Sequence, residues 1–334
     1  MIFDLAFIWA GVIAFSVLTY VVLDGFDLGV GILFPLLKKE KDKDLAMNTV
    51  APVWDGNETW LVLGGGGLFA VFPLAYAVVL PALYAPIIAM LIGLIFRGVA
   101  FEFRWRTKRG KFLWDWAFAG GSTLAAFSQG VALGALVQGI KFADRSYAGG
   151  NWDWLTGFSL LTGVAVVIGY GLLGSTWLIM KTTGDVRDLA YRLSWGLGAG
   201  TLALIGAVTL ITPFLNPLYL ERWFSWPGVV LSVVMPFLLS YASYRLYKGL
   251  KEQNDTVPFL ASQALFILCF AGIGISFYPY MVPPSLTIWQ AAAPDKSLAF
   301  IGWGALFLIP TILAYSAYSY WVFRGKVDPD QGYH

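Results

Sequence analysis

The sequence predicts an all-α integral membrane protein: a single polytopic domain over residues 1–334 with about nine transmembrane helices, amino terminus outside and carboxyl terminus in the cytoplasm. Three observations predict it. The 334 residues are 58% hydrophobic and 17% aromatic but only 13% charged, far more apolar than a soluble domain of this size. The apolar residues come in runs of about 20 or more, the length a helix needs to cross a hydrocarbon core about 30 Å thick. The basic residues between the runs alternate between dense and sparse clusters, as membrane insertion demands.

In order, the first span lies near 5–37; it follows Asp4, has no Lys or Arg ahead of it and outruns a signal-peptide core, so it reads as a retained helix. Pro52 fits the first turn of the second span, 53–72, and Pro73 separates it from the third, 74–102. The fourth, fifth and sixth runs occupy 113–140, 155–180 and 189–213; Pro227 opens the seventh, 227–248, and 257–278 and 297–323 complete the set. All are too long for barrel strands and lack their alternation. Tryptophan and tyrosine gather at span ends, as in "NWDWL" and "LERWFSWP", where amphipathic rings favour the headgroup layer.

Orientation follows from the cations. One side collects Lys38, Lys39, Lys41 and Lys43, then Arg104, Arg106, Lys108, Arg109 and Lys111, then Lys181, Arg187 and Arg192, then Arg245, Lys248 and Lys251, then Arg324 and Lys326. The other keeps Lys141, Arg145, Arg222 and Lys296. The dense side is the cytoplasm. A net charge of +2 spread this way gives no surface for nucleic acid.

Acids inside the runs carry the functional signal. Asp24 and Asp27, Asp55 and Glu58, Arg97, and Asp115 all fall toward the cytoplasmic ends of spans. Counting from Lys38 at 1.5 Å per residue, Asp27 lies about 16 Å deep and Asp24 about 21 Å. An ionised aspartate at that depth costs about 2.5–3.5 kcal/mol. Each pair is spaced i, i+3 on one helix face, so a bound proton, a cation such as Arg97 or a file of water must offset the charge. The structural alternatives are first-turn caps for Asp55, Glu58 and Asp115 and an ion pair with Arg97 for Asp24 and Asp27. The functional one is a proton or ion route open to the cytoplasm.

Ligand types are scarce. Haem, copper and iron sites usually use His, Cys or Met, yet the one histidine is His334 and the one cysteine Cys269. Met47, Met90, Met180, Met235 and Met281 have no His partner and read as packing residues. "GGGG" at 64–67 and the Gly25–Gly29 spacing read as places of close helix approach. This chain therefore supplies no metal ligand, and any redox metal sits in another chain.

"DGFDLGVG" from Asp24, "APVWDGNETWLV" from Ala51, "FRGVAFEFR" from Phe96, "LWDWAF" from Leu113 and "YPYMVPPSLTIWQA" from Tyr278 resemble subunit II of the cytochrome bd-type quinol oxidases, bacterial terminal oxidases of the cytoplasmic (inner) membrane. The resemblance implies a chain active only with a similar subunit I, which carries two b-type haems plus haem d or a third haem b and oxidises quinol. It implies a complex that reduces dioxygen to water with protons from the cytoplasm. Asp55, in "WDGN", takes the family's place on that proton route; Asp24, Asp27 and Glu58 join it from burial and spacing, with Arg97 and Asp115 as electrostatic support. No residue identifies a cofactor pocket here, and a structural quinone and a small accessory subunit stay open. Two rival readings are a purely structural assembly subunit and an ion-coupled secondary transporter, which would bury acids near the midplane and need no haem-bearing partner.

Overall fold

The computed structural model describes residues 4–226 and 228–328; Pro227 and His334 lie outside the described residues. α1 (Leu5–Leu33) begins where Asp4 accepts a hydrogen bond from the Phe7 amide at 2.9 Å, and it ends in a 3₁₀ turn over Phe34–Leu36. The charged linker that follows folds into a short helix, α2 (Glu40–Asn48), with Glu40 and Asp42 in its first turn, where carboxylates meet the positive end of the helix dipole.

The next segments depart from the expected spans. α3 (Trp54–Val71) matches the second run, but α4 (Pro73–Ala82) turns away from it by 120°. Phe72, at φ −128° and ψ 58°, leaves the helical region, and Pro73 restarts a helix whose first amide needs no partner. The chain breaks again at Leu83. The expected continuous span 74–102 is therefore two elements, α4 and α5 (Tyr84–Arg106).

α6 (Lys111–Gln138) leads to a small hairpin, β1 (Phe142–Ala143) and β2 (Ser146–Tyr147), in antiparallel register. Thr156 then starts α7 (Gly157–Lys181) with a capping box to Ser159. α8 (Gly184–Ile211) begins earlier than expected because Gly184, at φ +62°, turns the chain where an L side chain is strained. α9 (Pro217–Phe224) precedes α10 (Gly228–Lys251) and α11 (Val257–Phe277). A second hairpin, β3 (Tyr280–Val282) with β4 (Leu286–Thr287), and α12 (Ile288–Ala291) lead into α13 (Asp295–Val322).

Among the described residues, eight of these helices are long and apolar enough to cross a membrane, or nine where the bent α3–α4 pair is counted as one span. The main core joins α1, α5, α6, α7, α8, α10 and α11 with α2 against it. Glycine sets the closest approach: a Cβ on Gly29 would collide with the Tyr170 carbonyl and the Gly174 backbone of α7, so the Gly25–Gly29 face does seat a neighbouring helix. In the glycine tetrad, Gly64 and Gly67 face α1 side chains, whereas Gly65 and Gly66 meet nothing within 4 Å.

Candidate functional site

α1, α3, α5 and α13 converge on the buried acids. The 5.4 Å pitch of a helix puts Asp24 and Asp27 about one turn apart on α1, and both are fully buried. Arg97, also fully buried on α5, forks between two helices: one terminal nitrogen donates to Asp24 Oδ1 at 2.5 Å and the other to Glu58 Oε2 at 2.7 Å. Such planar, charge-assisted bonds are the strong ones. Its guanidinium lies 5.9 Å from the Trp54 ring centroid, and Trp54 stacks on Phe101 at 4.8 Å, which walls off the pair.

Asp27 has no cation of its own. Its Oδ2 accepts from Asn57 Nδ2 at 2.7 Å, and Asn57 Oδ1 in turn accepts from the Tyr320 hydroxyl of α13 at 2.8 Å. Asp24 Oδ2 and Asp27 Oδ1 are buried without a partner. One turn along α1 from Asp24, the Tyr20 hydroxyl accepts from Gln129 Nε2 at 2.7 Å, and Tyr170 donates to Gln129 Oε1 at 2.9 Å, which prolongs the polar core toward α6 and α7.

Asp24, Asp27, Glu58 and Arg97 are thus brought together, and the anticipated pairing of Arg97 with Asp24 is present. Asp55 is not part of the group: its side chain is exposed on the outer face of α3. Asp115 also departs from its expected place. It is not a solvated cap, and the electrostatic support expected of it goes to a second cluster, where it accepts from Arg104 Nε at 2.7 Å and Lys43 at 2.6 Å. That cluster lies about 10 Å further along α5, two turns from Arg97. Its remaining members are Asp44, at 2.5 Å from Arg104, Glu40, at 2.7 Å from it, and Lys111, at 2.6 Å from Glu40.

The two clusters differ in charge. Around Arg104, three cations meet three carboxylates. Around Arg97, one cation pairs with two carboxylates and a third, Asp27, lies beside them, which leaves the group with an excess of acids. Sequence reading missed Asn57, Tyr320, Tyr20 and Gln129. Neutral polar residues in apolar runs carry no cost that flags them, and Tyr320 sits among the aromatics common at span ends. It also missed Arg104 as an internal residue, since it stands among loop cations.

Among the described residues, no cluster of His, Cys, Asp and Glu has a metal-holding arrangement. Met47 is sealed in the apolar core, and Cys269 is a half-buried free thiol on α11.

A family model for cytochrome bd terminal oxidase subunit II matches residues 5–323. Cytochrome bd-I ubiquinol oxidase subunit 2 of Escherichia coli K12 is 30% identical, over 97% of this chain and 95% of that protein. Cytochrome bd ubiquinol oxidase subunit 2 of Bacillus subtilis is 29% identical over 96% of each. The structure of bd oxidase from Geobacillus thermodenitrificans superposes with a TM-score of 0.71 at 17% identity, covering 94% of this chain and 98% of the other, which shows a shared fold. With a family model matching residues 5–323 and relatives matched over nearly their whole length, the chain belongs to the cytochrome bd terminal oxidase subunit II family.

Proposed function

We propose that this chain works as the subunit of a quinol:oxygen oxidoreductase that leads protons, while a partner subunit I holds the haems and oxidises quinol. The complex lies in the bacterial inner membrane with the Lys- and Arg-rich loops in the cytoplasm. Protons consumed in reducing dioxygen to water then come from inside, and quinol protons leave outside. The observation that carries the reading is the Arg97 group: two carboxylates on one guanidinium with a third, Asp27, beside them and without a cation, two carboxylate oxygens without hydrogen-bond partners, and no exposure at Asp24 or Asp27. A set built only for rigidity would be charge-balanced, as the Arg104 cluster is. In this reading Asp55, exposed on the flank of α3, meets water or a partner chain ahead of the buried group.

Asp55→Asn in the intact complex tests it. Cytoplasmic proton uptake and oxygen consumption are expected to fall by about 10²-fold, the usual worth of a positioned proton carrier, with haem spectra preserved. Wild-type turnover with normal uptake would overturn the role of Asp55. A purely structural subunit is the second reading, favoured by the paired Arg97 and Arg104 networks; loss of assembly without slowed turnover in the assembled fraction would support it.

A further inference from the structure

Asp27 is the one buried carboxylate in the group that no cation touches, so whatever orients it acts through neutral hydrogen bonds. The orientation has a definite sense. Tyr320 donates to Asn57 Oδ1 at 2.8 Å, and Asn57 Nδ2 donates to Asp27 Oδ2 at 2.7 Å and to the Leu23 carbonyl at 3.3 Å. A flipped Asn57 amide would aim its oxygen at a carboxylate and a carbonyl, two acceptor–acceptor contacts. The Asp27 carboxylate and the Leu23 carbonyl therefore set the sense of the amide, and the Tyr320 hydroxyl pins the amide in place by donating to its oxygen. Oδ1, buried and without a partner, is left as the oxygen that binds and releases the proton.

Behind Tyr320 the chain reaches a crevice between α3 and α13. It is lined by Pro52, Gly56, Tyr315, Ser316 and Ser319 as well as Asn57 and Tyr320, and it has room for about one water molecule. Ser316, Ser319 and Tyr320 recur at i, i+3 and i+4, so one face of α13 presents hydroxyls to α3. The groups facing Asp27 are Asp24 on its own helix, Asn57 and Glu58 on α3, Arg97 on α5 and Tyr320 on α13.

We propose that Tyr320, acting through Asn57, is a positioning residue for proton exchange at Asp27 Oδ1, and that the hydroxyl-lined crevice between α3 and α13 is the side from which that exchange meets water. The inference rests on the proton-route reading and adds to it two residues and an access point away from Asp55. In the step itself a hydronium arriving from the crevice side gives up a proton and is left as water, the Asp27 carboxylate becomes a carboxylic acid protonated at Oδ1, and the Asn57 bond to Oδ2 is kept throughout.

The experiment uses the intact oxidase in proteoliposomes with Tyr320→Phe, Asn57→Leu, the double variant and Asp27→Asn. Phenylalanine keeps the edge contacts of ring 320 with Phe26 and Trp177, at 6.5 and 6.4 Å between centroids, so only the hydroxyl is lost. Tyr320→Phe is expected to lower oxygen consumption and proton uptake about tenfold, displace the pH–rate profile and leave the haem bands intact. The double variant is expected to be no slower than Asn57→Leu alone, because residues acting in series are not additive. If Asn57→Leu fails to assemble, Asn57→Ser replaces it. A wild-type rate and pH profile for Tyr320→Phe, or additive losses in the double variant, overturns the inference. If Asp27→Asn is slow while Tyr320→Phe is not, the inference fails and the proton-route reading stands; if assembled Asp27→Asn also turns over normally, that reading falls for Asp27 itself.

Discussion

Arg97 and Arg104 lie two helical turns apart on α5, both fully buried, yet a change at each has different consequences. Arg97 bridges Asp24 and Glu58 at 2.5 and 2.7 Å, with little water nearby to take over if it is lost. Arg97→Leu leaves two carboxylates uncompensated, and breaking one partner of a buried pair costs about 3–5 kcal/mol. A thermal melt of the solubilised complex should show the loss. Arg97→Lys restores the charge but not the two-pronged geometry, so it should recover only part of it; full recovery would show that charge alone matters. Arg104 shares its three carboxylates with Lys43 and Lys111, so Arg104→Lys should be the milder of the two lysine substitutions.

Packing between elements turns on small residues more than on charge. α1 reaches α7 through Gly29 and Gly174, each of which would drive a Cβ into the other's backbone. That contact also fixes Tyr170, whose ring edge meets Gly25 and whose hydroxyl ends the polar file from Gln129. Gly29→Val should therefore reduce assembled, haem-containing complex, by at least the 1–3 kcal/mol typical of overpacking. Gly206→Ala on α8, where nothing lies within 4 Å, should leave the yield unchanged or improve it, since alanine is the better helix former. Equal yields for Gly29→Val and wild type would mean that α1 and α7 can separate without harm. α2 shows another dependence between elements: Glu40 and Asp44 are held from α5 and α6 by Arg104 and Lys111, so this short helix is fixed by its neighbours and not by its own propensity.

Across the whole molecule, α13 is the helix least enclosed by the rest of the chain; Leu298 is its one buried residue among those described. Its far end is instead tied down by polar contacts. Lys181 donates to the Phe323 carbonyl at 2.5 Å, the Val327 amide donates to the Lys181 carbonyl at 2.8 Å, and Lys326 reaches both the Thr182 carbonyl and Asp255 at 2.8 Å. Partial burial alone would raise the Asp255 carboxyl, but hydrogen bonds from Lys326 and Arg187 outweigh it and hold the group below its ordinary value. A carboxylate depressed in the folded state stabilises that state above its unfolded value, near 3.9, and the contribution is lost as pH falls through the folded value. Hydrogen exchange of residues 324–328 should therefore be constant from pH 7 down to about 4 once corrected for intrinsic rates, and the tether should loosen below that. Lys326→Ala should loosen it at every pH. A tether insensitive to acid would show that the backbone bonds suffice.

The sequence by itself determined the medium and the helical class, because these depend on run length and composition along one strand of chain. It also exposed Asp24, Asp27 and Arg97, since charge in lipid is costly wherever its partner lies. Tertiary structure alone decided which charges meet. Asp55 and Glu58 share a nominal face, but an i, i+3 step leaves them about 60° apart around α3; the packing of α1 and α5 encloses one and leaves the other outside. Asp115 finds Lys43 and Arg104 because α2 folds beneath α5 and α6, and Tyr320 reaches Asn57 across more than 260 residues of sequence. Such contacts depend on rotation and approach between helices distant in the chain, and no local pattern encodes them.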